Sequence, residues 1–287
     1  MRILRKFPVL LLMVILAAAC LLLGLKYYSG DQKPVRARKE KDTFTVLAPR
    51  LDHCGDAFLL YNDQEAVLID TGEKGDADII LEALRSRGID KLKALILTHY
   101  DKDHIGGAPA ILKAVPVKKC YMPLGTKDSD PFVALEDSLA SSETEEVIVT
   151  EMLSFEALNA SFSIYPPLTA EFEKHQDNNL SLITSVIAEG GKLLFTGDAE
   201  NERMTQYVES QYDGTQYTWL KVPHHGRDKK TVKMLLDLFV PKEAVISSSE
   251  DEPEEEDVVR LLEKAGVSVL LTRKEDIEFQ VKTAPPY

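Results

Sequence analysis

Apolar residues in this chain fall into short runs that switch between two periods. TFTVLAP (43–49), DAFLLYN (56–62) and EAVLID (65–70) read as successive strands, because compact apolar runs sit between short polar breaks. DADIILEALRSRG (76–88) changes to helical spacing and stops at a glycine. KALILT (93–98) predicts a short buried strand, GGAPAILKAV (106–115) opens a helix, and DPFVALEDSLASSE (130–143) is a second helix with an acidic start. EEVIVT (145–150) and parts of SFEALNASFSIYPP (154–167) return to strand. LSLITSVIAE (180–189) and KLLFTG (192–197) form a hairpin across a Gly-Gly pair. ENERMTQYVES (200–210) is a helix, YTWLKVP (217–223) a strand and TVKMLLDLF (231–239) a helix. EAVISSS (243–249) is a strand, EEEDVVRLLEKAG (254–266) a helix, and VSVLLT (267–272) and IEFQVK (277–282) are final strands. Strands mixed with helices in this order predict helices packed outside stacked sheets.

One stretch breaks both periods. FPVLLLMVILAAACLLLGL (7–25) is 19 residues without a charge, behind the basic flank MRILRK. A run of about 20 apolar residues spans a bilayer, so residues 1–25 read as a membrane anchor, an uncleaved N-terminal transmembrane helix. A cleaved signal at AAA, or a lipoprotein signal with Cys20 lipidated, competes with it. Apolar residues continuing past Cys20 favour the anchor. Residues 26–42 read as a basic polar linker, and 43–287 as one domain.

Charge sharpens this division. Residues 1–42 carry nine Lys/Arg and three Asp/Glu, and the remainder carries 25 basic and 44 acidic residues. Arg2, Arg5 and Lys6 favour an N-terminus inside the cell, which places the domain outside it. A body so acidic repels polyanions at long range, so an anionic substrate needs a local positive centre such as a metal ion. With Cys20 in the apolar run, Cys54 and Cys120 make neither a disulfide framework nor a cysteine zinc site.

LTHYDKDHIGG (97–107) packs His99, Asp101, Asp103 and His104 behind a buried strand. Imidazole and carboxylate are donors that zinc, manganese and iron accept. Gly106 and Gly107 let backbone approach closely. The competing reading is a solvated turn with Asp103 capping the next helix. An EF-hand loop fails, because the twelfth position from Asp101 is Leu112. Asp70 in VLIDTG, Asp198 in FTGDAE, and His224 and His225 in LKVPHHG also follow apolar strands. All of them can reach one sheet edge.

These motifs resemble the metallo-β-lactamase superfamily, and most of all the soluble hydrolase domain of ComEC-type competence proteins. LDHCGDAFLL, VLIDTG, LTHYDKDHIGG, NNLSL, LLFTGDAE and LKVPHHG carry the likeness, across nearly all of 43–287. The resemblance implies an α/β, four-layer αββα sandwich. It implies that His99 and Asp101 serve one metal, that Asp103 and His104 serve a second, and that Asp198 bridges the two. His225, or else His224, supplies the last ligand. Asp70 orders the ligand loop, and Asn178 and Ser181 lie where many members place a further histidine. Asp103 and Asp198 are the expected catalytic carboxylates.

Asp101 and Asn178 replace two imidazoles of the common pattern, which leaves harder oxygen ligands and admits manganese beside zinc, with one or two ions. The implied chemistry is metal-assisted hydrolysis by a bound water. The implied substrate is a small-molecule, cell-wall or nucleic-acid phosphodiester, met at the membrane. A lactone or β-lactam hydrolase on the same site, or a surface binding module with a vestigial metal site, are the alternatives. No specific protein partner is implied. HCGDA is one residue shorter than the VGQGDA of ComEC-like domains, which sets His53 and Cys54 near the cleft in a structural role. No histidine follows His225, and EDEPEEED (250–257) reads as an acidic helix start. Ser247 to Ser249 read as strand residues rather than nucleophiles.

Overall fold

Strands whose residues are buried on both faces need a cover on each side. FLLY, AVLI and ALI are wholly buried, and this chain supplies the cover by stacking two sheets between helices. A computed structural model describes residues 42–283. The expected membrane anchor (7–25), and the linker up to residue 41, lie outside the described residues. Among the described residues no helix is long and apolar enough to cross a membrane.

Six strands open the chain: β1 (Thr43–Ala48), β2 (Phe58–Tyr61), β3 (Ala66–Ile69), β4 (Ala94–Ile96), β5 (Lys119–Pro123) and β6 (Glu145–Val149). Seven more follow: β7 (Leu153–Ala157), β8 (Ala160–Tyr165), β9 (Ile183–Ala188), β10 (Gly191–Phe195), β11 (Trp219–Lys221), β12 (Glu243–Ile246) and β13 (Ser268–Leu271). The last, β14 (Ile277–Lys282), returns to the first sheet and pairs antiparallel with β1. The sheet orders are β14-β1-β2-β3-β4-β5-β6 and β13-β12-β11-β10-β9-β8-β7. From β3 to β6, and from β10 to β13, neighbours run parallel. The remaining pairs are antiparallel, including the expected β9–β10 hairpin.

Three apolar layers hold these sheets. Phe58, Val67, Ile96, Phe162, Phe195 and Trp219 interdigitate between them. Helices α1 (Ala77–Ser86), α2 (Lys102–Ile105), α3 (Ala108–Ala114) and α4 (Asp130–Ala140) belong to the first sheet's side. In α1 the buried Ala77, Ile80, Leu81 and Leu84 form one stripe at helical spacing. After the one-turn α5 (Gln176–Asn179), helices α6 (Asn201–Ser210), α7 (Lys229–Leu236) and α8 (Glu256–Lys264) cover the second sheet. The αββα expectation holds.

Three local expectations change. The cap position before α2 is Asp101, not Asp103, and the helix breaks at Gly106 before α3 resumes. Ser247 to Ser249 lie beyond the end of β12 rather than inside it, although all three are buried. β5 was not anticipated.

Candidate metal centre

Parallel strands point their carboxyl ends the same way, and loops leaving those ends meet in a crevice. Here Asp70 follows β3, Thr98 and His99 follow β4, Asp198 follows β10, and a 3-10 turn at Pro223–Gly226 follows β11. The chain passes from β4 into α2 without slack. His104 N and Ile105 N both donate to the Asp101 carbonyl. Gly106 and Gly107 pass so close to the preceding loop that a Cβ would stand 2.5 Å from Lys74 N and 2.3 Å from the Thr71 carbonyl oxygen. That close approach is why two glycines follow the cluster.

Asp103, His104, Asp198 and His225 present ligand atoms that all lie within 4.8 Å of one another. His225 Nε2 is 3.2 Å from Asp103 Oδ2 and 3.2 Å from Asp198 Oδ2. His104 Nε2 is 3.3 Å from Asp198 Oδ1 and 3.7 Å from Asp103 Oδ2. Three of the four residues are buried, and Asp103 alone is partly open to solvent. His99 lies beside them, its ring centroid 4.0 Å from that of His104. Its Nε2 is 3.8 Å from Asp101 Oδ2.

A cation fits this donor set. Nε2 of His99 and Nε2 of His104 are buried without a hydrogen-bond partner among the described residues, which is costly unless something else satisfies them. Burial works against charge on His104, yet the carboxylates of Asp198, Asp70 and Asp103 overcome it and hold its pKa well above the ordinary imidazole range. Burial also opposes the charge of His225, and Asp198 and Asp103 raise its pKa in the same way. For His99, burial and then the neighbouring His104 charge push the pKa down, which keeps the ring neutral. Protons sit where the field favours positive charge, and a divalent ion displaces them. Burial opposes ionisation of Asp198 and Asp103, but the histidines beside them win and keep both acids well below the usual range.

The surrounding hydrogen bonds aim these groups. Asp70, at φ 57°, accepts from Thr98 N at 2.8 Å, Thr98 Oγ1 at 2.7 Å and His104 Nδ1 at 2.8 Å. His104 Nε2 is thereby turned toward Asp198. Ser181 Oγ accepts from Asp198 N at 3.1 Å and lies 3.5 Å from His99 Nδ1. His225 Nδ1 lies 2.9 Å from the Ser247 carbonyl oxygen. His224 and His225 both take left-handed backbone, at φ 47° and 50°. This conformation is strained for a side chain with a Cβ and recurs at functional turns.

The structure does not bring every expected residue into the group. His224 turns away, its Nδ1 3.0 Å from Glu200 Oε1. Asn178 donates from Nδ2 to Glu200 Oε1 at 3.0 Å and lies 3.4 Å from His224 Nε2. Asp101 is bound by Lys127, at 2.5 Å. His53 Nδ1 is 3.1 Å from Asp76 Oδ1, and Cys54 is buried with its Sγ 4.0 Å from the Ser247 carbonyl oxygen.

Two participants were not singled out in the sequence. Asp56 and Lys221 form a buried ion pair at 2.5 Å, and Lys221 Nζ also donates to the Gly197 carbonyl at 3.0 Å and lies 3.4 Å from Asp198 Oδ1. Asp56 accepts from Ser247 Oγ and stands 3.6 Å from His225 Nδ1. Each lay inside a quoted motif, in GDA and LKVPHHG, but both read as strand flanks.

The family model for the metallo-beta-lactamase superfamily matches residues 55–249. The chain belongs to that superfamily. ComE operon protein 3 of Bacillus subtilis (strain 168) is 31% identical over 229 residues, covering 75% of this chain and 28% of the relative. This chain thus spans little more than a quarter of that relative's length. The crystal structure of Tm1679, a metal-dependent hydrolase of the beta-lactamase superfamily, superposes with a TM-score of 0.56 at 16% identity, covering 83% of this chain and 99% of that one. A diphosphatase from the PhnP family superposes at 0.50 with 16% identity, covering 84% and 100%. At such identities the two structures speak for the fold.

Proposed function

We propose that this superfamily hydrolase cleaves a phosphodiester or a related ester, with zinc or manganese held by Asp103, His104, Asp198 and His225. The carrying observation is the meeting of those four side chains, from three separate strand ends, around the unpartnered Nε2 of His104. A divalent ion bound there supplies an acidified water and a positive charge for the oxygens that turn negative during hydrolysis.

The chain's own groups do the rest. Asp70 fixes the tautomer and aim of His104 through Nδ1. Lys221 and Asp56 brace the Asp198 side. Asp103 is the partly exposed member of the group, and its neighbours hold it ionised. It therefore orients the attacking water from the open face, as a carboxylate that accepts a hydrogen bond.

Two observations support phosphate chemistry. The fold neighbours include a diphosphatase, and a metal ion is the positive centre that an anionic ester needs in so acidic a body. The uncharged run 7–25 supports a membrane-held domain facing outside the cytoplasm.

The test is metal content together with turnover. The purified full chain is assayed with a generic phosphodiester, single-stranded DNA and a lactone, each with zinc and with manganese. Phosphodiester turnover that Asp103→Ala abolishes with the fold retained bears the reading out. Turnover of the lactone alone moves the substrate class. Metal-free, inactive protein under every condition leaves a binding module.

A further inference from the structure

The centre has two unequal halves. Asp103, His104, Asp198 and His225 converge tightly, whereas His99 and Asp101 stand outside that group. Beside Asp101 the chain supplies a cation of its own. Lys127, in the segment between β5 and α4, places Nζ 2.5 Å from Asp101 Oδ1 and 2.8 Å from Asp177 Oδ2. The other Asp101 oxygen is the one facing His99. Asn178 turns its amide nitrogen to Glu200 Oε1, at 3.0 Å.

Resting on the metal reading above, we propose that Lys127 stands in for a second metal ion: the chain binds one divalent ion at Asp103, His104, Asp198 and His225, and the Lys127 ammonium fills the charge requirement of the Asp101 side. Lysine and metal compete for the same carboxylate. A divalent ion on Asp101 meets an ammonium already at hydrogen-bond distance from that group, and like charges so close repel strongly in a partly buried site. With Lys127 on Asp101, a second ion meets one free imidazole, His99, and an already occupied carboxylate, and so binds weakly in wild type.

Manganese is the probe, because its spectrum separates isolated ions from coupled pairs. The full chain is dialysed against Mn2+, and bound metal and the electron paramagnetic resonance spectrum are read together. Wild type is expected to hold one ion per chain with the spectrum of an isolated ion. Lys127→Met frees Asp101, and a second ion is expected to bind at least tenfold tighter than to wild type, with coupling between the two. Lys127→Gln gives the same result should the methionine variant lose its melting transition, and Lys127→Arg keeps one ion. Two ions in wild type overturn the inference and leave the proposed function standing. One ion in both wild type and the Lys127→Met and Lys127→Gln variants also overturns it. No manganese and no zinc in wild type defeats the metal reading itself.

Discussion

Nδ1 of His104 donates to Oδ2 of Asp70 across 2.8 Å, with both side chains wholly buried. The bond joins the loop after β3 to helix α2, and it leaves Nε2 as the ring's free ligand atom. Asp70 also accepts from the amide and hydroxyl of Thr98, so three donors depend on two carboxylate oxygens. Asparagine offers one oxygen and presents an amide to the rest. Asp70→Asn is expected to weaken metal binding by about 10–100-fold, the usual effect of removing a hydrogen-bond partner behind a metal ligand. Competition dialysis against a chelator measures it. Unchanged affinity means that the ring needs no carboxylate to aim it.

A second prediction concerns Lys221, which lies against Asp56 and Asp198 with almost no exposure. Burial opposes its charge and the two carboxylates overcome it, so its pKa is raised. Lys221→Met strands two buried carboxylates. Breaking one partner of a buried pair costs about 3–5 kcal/mol, to be read by urea denaturation of the metal-free protein. Adding Asp56→Asn to Lys221→Met is expected to recover part of that loss, because the pair then couples in a double-mutant cycle. Strict additivity would show that the two side chains do not act together.

The pattern of the chain exposed most of this fold because its strands are short, apolar and cleanly bounded. β5 is masked because Lys118 precedes it, Lys119 opens it and Pro123 ends it, so charge and proline hide the apolar Cys120, Tyr121 and Met122. At the site, His99, Asp103, His104 and Asp198 were legible from local spacing behind strands. His225 is preferred to His224 for its place beside Gly226, and the structure sets its Nε2 3.2 Å from both Asp103 and Asp198. Asp56, Lys221 and Lys127 stayed hidden for a different reason. Their partners lie far along the chain, with Lys127 meeting Asp101 across 26 positions and Lys221 standing 165 positions beyond Asp56. No local period records such a pairing.

Arg203 yields a third prediction, away from the chemistry. Its guanidinium is buried in α6 and donates to the Ser181 carbonyl at 3.1 Å, the Tyr165 carbonyl at 2.8 Å and Gln211 Oε1 at 3.0 Å. Ser181 in turn holds the Asp198 amide. Arg203→Ala removes three donors and leaves a cavity, with an expected loss of about 3 kcal/mol or more. The thermal midpoint and metal affinity are expected to fall together. A variant that melts lower with metal affinity intact would show that the Ser181 loop is positioned without Arg203.

The last prediction is the pH dependence of metal uptake, and its sign follows from the raised histidines. Burial opposes their charge, the neighbouring carboxylates overcome it, and the folded pKa values of His104 and His225 stand above the unfolded value of about 6.5. Their protonation therefore stabilises the metal-free protein fully below about pH 6.5, and this contribution is lost as pH rises through the folded values. Asp103 and Asp198 behave oppositely: their folded values are depressed, so their contribution holds above about pH 4 and disappears as pH falls through those values. An arriving ion must displace the imidazolium protons, so affinity is expected to climb as pH rises from about 6.5 through the raised folded values and to level off once both rings are neutral. Calorimetric titration in buffers of different ionisation enthalpy is expected to count about two protons released per ion at neutral pH. Affinity independent of pH across that window, with no proton released, would mean that neither imidazole has to give up a proton for the ion to bind.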